Sequence, residues 1–438
     1  MRLQGGNCMI NKYLLQIKKS VWVYPAFYGV LSFLFALVFA WLDTNTLFEL
    51  SDYVPTLFLT SIDLAQTILQ VIAGSLMTMM TFTFSTTMVV LTTYSSQFSP
   101  RTVENFLSDD KTMKALGVFL GGFVYAMTTL LFMRVSLDEK VVVSATIAIV
   151  FAIFCLFHFI LYIHHVGSYI QTNNLILRLY NSAVTRINDY HKLVDTASFS
   201  KTIDMAPYSY VIHLQSKRYG YIQFINHQKL SKIANENKLI IVSEKIIGQF
   251  ISDKTSLIAI YSNEATKLDE ALTNSILDAI TIGYEKTELQ DFNFSIQKIV
   301  EIGLRAISPG VNDPNTANHC LKMIGILLSM LSNLDDGYFI LEKDKENEYK
   351  AIFEAISFKE EIYFAFYQMV HYGKSDISVM LSILQAIKFA MEKATLNNKK
   401  ELLNFVEYIW EKLDASLLQG FDKEVLEKSK KEIFALSV

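Results

Sequence analysis

The chain has 438 residues, 51% of them hydrophobic and 19% charged, with a formal net charge of −4. A soluble domain carries charge on roughly a quarter of its residues, and the slight acidic excess excludes the basic footprint of a nucleic-acid-binding protein. Three cysteines, Cys8, Cys155 and Cys320, are too few and too scattered for a disulfide framework or a zinc site.

The shortage of charge is concentrated in residues 21–165, whereas residues 170–438 have the make-up of a globular protein. A membrane half therefore precedes a soluble half. A spanning helix needs about 20 mostly apolar residues, and four runs qualify: 21–42, 64 to beyond 90, 116–133 and 141–163. The first run is too long for a signal-peptide core and lacks a small-residue cleavage site. Lys12, Lys18 and Lys19 precede it, and the loop that follows carries no Lys or Arg. Arg101, Lys111 and Lys114 stand between spans two and three, and Arg178 and Arg186 follow span four. This alternation predicts both termini on the cytoplasmic side of a bacterial inner membrane. Trp22, Tyr24 and Trp41 fall where interfacial anchors belong.

Two spans outrun the bilayer. No acidic or basic residue lies between Asp63 and Arg101, nor between Lys140 and Arg178. A continuous helix across the first gap reaches roughly 55 Å against a hydrocarbon core of about 30 Å. Both helices are expected to run on past the bilayer, with their uncharged surfaces covered by protein.

Span two is also polar along one side. Thr78, Thr81, Ser85, Thr92, Ser96 and Ser99 recur at helical spacing, with Met88 in the gap. Such a stripe can line a water-filled path, where hydroxyls replace the hydration of an ion. It can equally be interhelical glue, because Ser and Thr pack closely and bond across helices or back to their own carbonyls. The preceding loop holds Asp43, Glu49, Asp52 and Asp63, an acidic outer mouth that would concentrate cations. In span three, Gly117 and Gly121 form a GxxxG pair extended by Gly122, which reads as close helix packing. His158 falls inside span four as a packing residue, and His164 and His165 lie near its end, where a pH response is conceivable.

In the soluble half, short β-rich runs cover 208–214, 219–225, 239–241 and 257–261, with a short helix at 226–237. From residue 263 onward apolar residues recur at helical spacing over 264–287, 294–307, 314–334, 349–373, 375–395, 399–418 and 423–436. The linker Ser308-Pro309-Gly310-Val311-Asn312-Asp313-Pro314 reads as a turn followed by an Asp cap and a first-turn proline. With Arg305 it is also a possible ligand loop, since helix N-termini favour anions. No P-loop, dinucleotide fingerprint, HExxH or GxSxG is present, so no enzyme activity, metal or cofactor is expected.

Three segments carry a resemblance: Thr83-Phe84-Ser85-Thr86-Thr87 through Ser99-Pro100-Arg101 with Leu116 to Gly121; Gly220-Tyr221-Ile222-Gln223 with Gly248; and Arg305 to Pro314. In order and spacing the chain resembles a bacterial family of predicted membrane proteins, domain of unknown function 2254. The resemblance implies a multi-pass inner-membrane protein and brings no activity with it. Where that family has a Gly-Asp-Phe-Val segment, this chain has Ile246 to Asp253.

The fold expected is mainly α: a four-helix transmembrane domain (1–166), a helical stalk (167–204), a small β-containing module (205–262) and a helical cytoplasmic domain (263–438). The function expected is a homo-oligomeric ion channel or channel-like transporter in the lipid bilayer, with span two lining the path and small cations favoured. The competing expectation is a membrane-anchored sensor or scaffold whose cytoplasmic domain binds a ligand or partner.

Overall fold

The computed structural model describes residues 22–44, 54–97, 109–133, 141–263, 268–341 and 349–436. Two compact units divide the chain, Met1–Asn174 and Leu175–Val438.

Among the described residues of the first unit, four helices are long and apolar enough to cross a membrane. They are α1 (Val23–Thr44), α2 (Ile62–Gln97), α3 (Asp110–Phe132) and α4 (Ser144–Tyr169). A short antiparallel pairing of β1 (Thr60–Ser61) with β2 (Val141–Val142) ties the starts of α2 and α4 together. Helix α3 is the most enclosed of the four, and its glycines explain why. A Cβ on Gly117 would stand 2.7 Å from the Tyr28 ring and 3.1 Å from the Tyr24 carbonyl oxygen of α1. At Gly121 it would meet Ser32 Oγ at 2.7 Å, and at Gly122 it would meet Leu76 of α2 and Phe151 of α4. The GxxxG reading thus holds for α1, and the third glycine admits the other two spans.

Helix α2 runs unbroken for 36 residues, about 54 Å at 1.5 Å per residue. The expectation of an equally continuous fourth helix is corrected. Helix α4 stops at Tyr169, and α5 (Thr172–Asp195) begins after a break at Ile170 and Gln171. The Asn174 side-chain amide donates to the Ser168 carbonyl oxygen at 2.8 Å, satisfying an acceptor that the break exposes.

In the second unit, a six-stranded sheet has the order β3-β10-β11-β6-β8-β4. Its strands are β3 (Ser198–Ser200), β4 (Tyr210–Gln215), β6 (Ile240–Ser243), β8 (Ser256–Ser262), β10 (Tyr338–Leu341) and β11 (Lys350–Glu354). Only the β11–β6 pair is parallel. Strand β6 is buried along its whole length, as an Ile-Ile-Val run in the middle of a sheet should be. A second, antiparallel sheet joins β7 (Phe250–Ile251), β5 (Gly220–Ile225) and β9 (Ile280–Gly283). Short helices α6 (His227–Glu236) and α7 (Glu270–Leu277) accompany the sheets.

The β-module is therefore not confined to 205–262. Residues 280–283 and 350–354, read from sequence as parts of helices, are strands. Each is a short run, Ile-Thr-Ile-Gly and Lys-Ala-Ile-Phe-Glu, whose period does not separate strand from buried helix. Their sheet partners, distant in the chain, decide the matter. The other helical expectations hold with shifted ends: α8 (Phe292–Ala306), α9 (Pro314–Leu331), α10 (Phe358–Gly373), α11 (Ile377–Met391), α12 (Leu396–Lys412) and α13 (Gly420–Ala435). Helices α9 and α11 approach closely where Gly325 faces Ala386.

Replacing Gly121 with Val forces α1 and α3 apart. Overpacking of this kind costs about 1–3 kcal/mol, so the melting temperature in detergent should fall clearly. Gly167→Ala, where no atom lies within 4 Å of the new methyl, should leave it unchanged or raise it. Equal melting of both variants would contradict this packing.

Candidate functional site

Helix α2 separates its hydroxyls onto two faces. Thr83 and Thr87 are buried. The Tyr162 hydroxyl of α4 donates to the Thr83 carbonyl oxygen at 3.0 Å and lies 3.1 Å from Thr87 Oγ1. Further along, the Tyr94 hydroxyl donates to the Tyr169 carbonyl oxygen. These residues are the glue between spans two and four.

The stripe singled out from sequence is a different face. Thr78, Thr81, Ser85, Met88, Thr92 and Ser96 are all exposed, and Ser99 lies outside the described residues. By helical geometry Met77 and Phe84 border the stripe on one side and Phe82 and Val89 on the other, all of them exposed. The hydroxyls of Thr78, Thr81 and Thr92 each donate to the carbonyl four residues back, at 2.9 Å. The same bond is made by Thr67 and Ser75 at the opposite end of the helix. With the proton committed to the backbone, such a hydroxyl turns its lone pairs outward. Elsewhere the exposed membrane surface is bulky and apolar, as with Phe27, Leu34 and Val38 on α1 and Ile153, Phe157 and Ile160 on α4.

Of the acidic loop residues, Asp43 is buried. Its carboxylate accepts from the backbone N–H groups of Val143 and Ser144 at 3.1 and 3.3 Å, so it is spent on the start of α4. Asp63 is exposed in the first turn of α2; Glu49 and Asp52 lie outside the described residues. His158 turns back to the Phe154 carbonyl of its own helix, and His165 pairs with Asp109 at 2.8 Å.

The 308–313 loop holds its sequence-predicted residues in one turn, and two of them, Ser308 and Asp313, bond to the chain itself. Ser308 Oγ donates to the Arg305 carbonyl oxygen at 2.6 Å. Asn312 adopts the left-handed conformation, and Asp313 caps α9 through the Thr316 N–H at 3.2 Å and the Thr316 hydroxyl at 2.6 Å.

Sequence reasoning missed a buried polar cluster in the second unit. Glu361 lies on the apolar face of α10, in phase with Phe358, Ile362 and Ala365. Its Oε1 accepts from the Asn293 side-chain amide at 2.6 Å. Burial is the main cause that pushes the Glu361 carboxyl up to about 8, and the charge of Asp291 adds to it. Asp291 is itself buried and its carboxyl is likewise raised, chiefly by desolvation. One of its oxygens, Oδ1, caps α8 by accepting from the Phe294 N–H at 3.0 Å. Lys298, only 1% exposed, donates to Glu288 Oε1 at 2.6 Å, and Ser182 donates to Glu288 Oε2 at 2.7 Å. The legible signal was phase: Glu361 and Lys298 each sit on the apolar stripe of a helix, where a charge is out of place. Gly248, at φ +83°, lies against the Asp291 carboxylate so closely that a Cβ would collide with it. That contact gives this glycine its physical reason.

A cleft of about 260 Å³ opens beside this cluster. Tyr190, Phe224, Ile247, Asp291, Phe339 and Ile356 are among its walls. His227, on the same wall, packs against Phe353 with ring centroids 4.6 Å apart, and burial lowers it to about 4, so it is a neutral wall residue. The described residues contain no group of three or more His, Cys, Asp or Glu side chains placed to hold a metal.

A family model described as predicted membrane protein (DUF2254) matches residues 18–388. The chain is similar to uncharacterised proteins of Mycobacterium bovis and Mycobacterium tuberculosis, each 24% identical over 334 residues, which cover 74% of this chain. It spans 63% of the length of those relatives. No solved structure matches the chain.

Glu361 makes stability fall as pH rises. The unfolded chain releases this proton near 4.5 and the folded protein near 8, so the folded state holds the extra proton between those values. Glu361→Gln should melt like the parent near pH 5 and be the more stable protein near pH 8. It should remove a slope of up to about 1.4 kcal/mol per pH unit. Parallel melting curves of parent and variant across that range would refute the assignment.

Proposed function

The chain belongs to the DUF2254 family of predicted membrane proteins, and from that premise we propose that it is a homo-oligomeric ion channel or channel-like transporter of the bacterial inner membrane. In this reading, copies of α2 surround the path. The observation that carries it is the exposed hydroxyl face of α2 on a unit whose other exposed faces are bulky and apolar. A single copy in lipid would present that face to hydrocarbon, where hydroxyls gain nothing. The bordering residues Met77, Phe84, Phe82 and Val89 are suited to contacts between neighbouring copies, with the stripe turned to the axis.

Cations are favoured on chemical grounds. Hydroxyls whose protons are bound to the helix backbone offer only acceptors. A line of such oxygens substitutes for the water around a cation and offers nothing to an anion. Asp63, exposed at the start of the same helix, adds negative charge at that end. The reading calls for no reaction at a protein side chain and no cofactor.

Purified protein in planar bilayers should conduct, with a reversal potential that follows the cation gradient. Ser85→Leu should reduce the current by about tenfold or more, since a branched apolar side chain displaces water from the path. Ser85→Cys should form disulfide-linked dimers in the membrane. Absence of conductance under every ionic and pH condition, or leucine at Ser85 leaving the current intact, would sink the channel.

A further inference from the structure

Two residues that line the cleft of the second unit each carry a buried polar atom with no hydrogen-bond partner, and the two are of opposite character. Asp291 is 5% exposed, and its Oδ2 makes no hydrogen bond although Oδ1 is engaged at the α8 cap. Arg186 on α5 has its Nη1 bound to Asp189 at 3.1 Å, while its Nε is buried without an acceptor. Both residues line the same cleft. Several of the other polar groups at hand are engaged. Both ends of the Gln290 amide are tied to the backbone of Ile225, at 2.8 and 3.1 Å, and the Tyr190 hydroxyl accepts from the Ile356 N–H at 3.1 Å. Lys298 is bound to Glu288, and Lys286 stands over the Tyr221 ring.

A buried polar atom left unsatisfied costs about 1–3 kcal/mol, so two of them on one cleft mark what the cleft is built to receive. The occupant must bring a donor to Asp291, an acceptor to Arg186 and an apolar body for Phe224, Ile247, Phe339 and Ile356. We propose that the cleft is a binding site for an α-amino acid with a large apolar side chain, its ammonium on Asp291 Oδ2 and its carboxylate on Arg186 Nε. The volume, about 260 Å³, accommodates one such molecule. The site stands independently of conduction through the membrane unit.

The test uses the full-length protein in detergent with three probes: L-phenylalanine, 2-phenylethylamine, which lacks the carboxylate, and 3-phenylpropionate, which lacks the ammonium. L-Phenylalanine should give a saturable heat in calorimetry and raise the melting temperature. Each of the other two should bind at least about tenfold more weakly, the loss expected for one contact of about 1.4 kcal/mol. Asp291→Asn retains a good helix cap, so it should fold and still lose about tenfold or more in affinity for L-phenylalanine. Ile247→Trp, which fills the cleft without touching the charges, should abolish binding. No saturable binding of L-phenylalanine up to about 10 mM overturns the proposal. So does an Asp291→Asn variant that binds as the parent does, or either half-probe binding as tightly as the amino acid.

Discussion

Three glycines of α3 govern the membrane unit. Where Gly117 and Gly121 meet α1, the backbones come close enough that a single methyl would strike a carbonyl oxygen or a side-chain hydroxyl. Lipid tails are as apolar as leucine, so no hydrophobic gain holds spans together, and close van der Waals contact has to do so. By admitting α1 through two glycines and Leu76 and Phe151 through the third, α3 becomes the shared core against which the other spans lie. Everything left outside that core is decided by what α3 does not cover. The outward faces of α1 and α4 are apolar, as lipid requires, and the outward face of α2 is not.

Hydroxyls in α2 fall into two groups with the same chemistry and opposite settings. Thr83 and Thr87 turn toward α4 and share Tyr162, which binds one span to another. Thr78, Thr81 and Thr92 turn outward and bind only to their own helix. The self-bonded arrangement satisfies the donors of Thr78, Thr81 and Thr92 within the helix before any partner arrives, and it leaves their acceptor oxygens on the surface. The inward pair fixes the rotation of α2 about its axis, and the direction of the outward stripe follows from that rotation.

What was legible in the sequence was whatever the bilayer or the helix imposes locally. The four spans could be read because hydrocarbon thickness demands length and apolarity whatever the tertiary contacts. The GxxxG pair and the cap at Asp313 are likewise local devices. What failed depended on partners remote in sequence. Ile280 to Gly283 and Lys350 to Glu354 become strands because β5, β6 and β10 lie beside them. Asp43 reads as a loop acid and proves to be buried because the start of α4, a hundred residues on, needs an acceptor. The cluster around Asp291 was hidden for a related reason. Glu361 follows Lys359 and Glu360 and so reads as part of a solvated charged run, until its phase with Phe358 and Ile362 is weighed.

Both units answer the same constraint, that a polar atom away from water needs a partner, but they answer it differently. In the membrane unit the answer is almost wholly internal: carbonyls four residues back, a tyrosine on the next span, backbone donors for Asp43. In the second unit most buried charge is treated likewise, with Lys298 on Glu288 and Glu361 on Asn293. Asp291 Oδ2 and Arg186 Nε are among the departures, and Thr287, Asn318 and Asn398 each hold another. A carboxylate that already caps a helix would be fully served by a second backbone donor, and Gly248 brings a bare backbone against it. The Gly248 N–H is bound to the Ile222 carbonyl oxygen and does not serve it. Packing thus buries the carboxylate of a cleft-lining residue and leaves Oδ2 without a donor from Gly248. Its physical rationale lies with whatever donor the cleft admits.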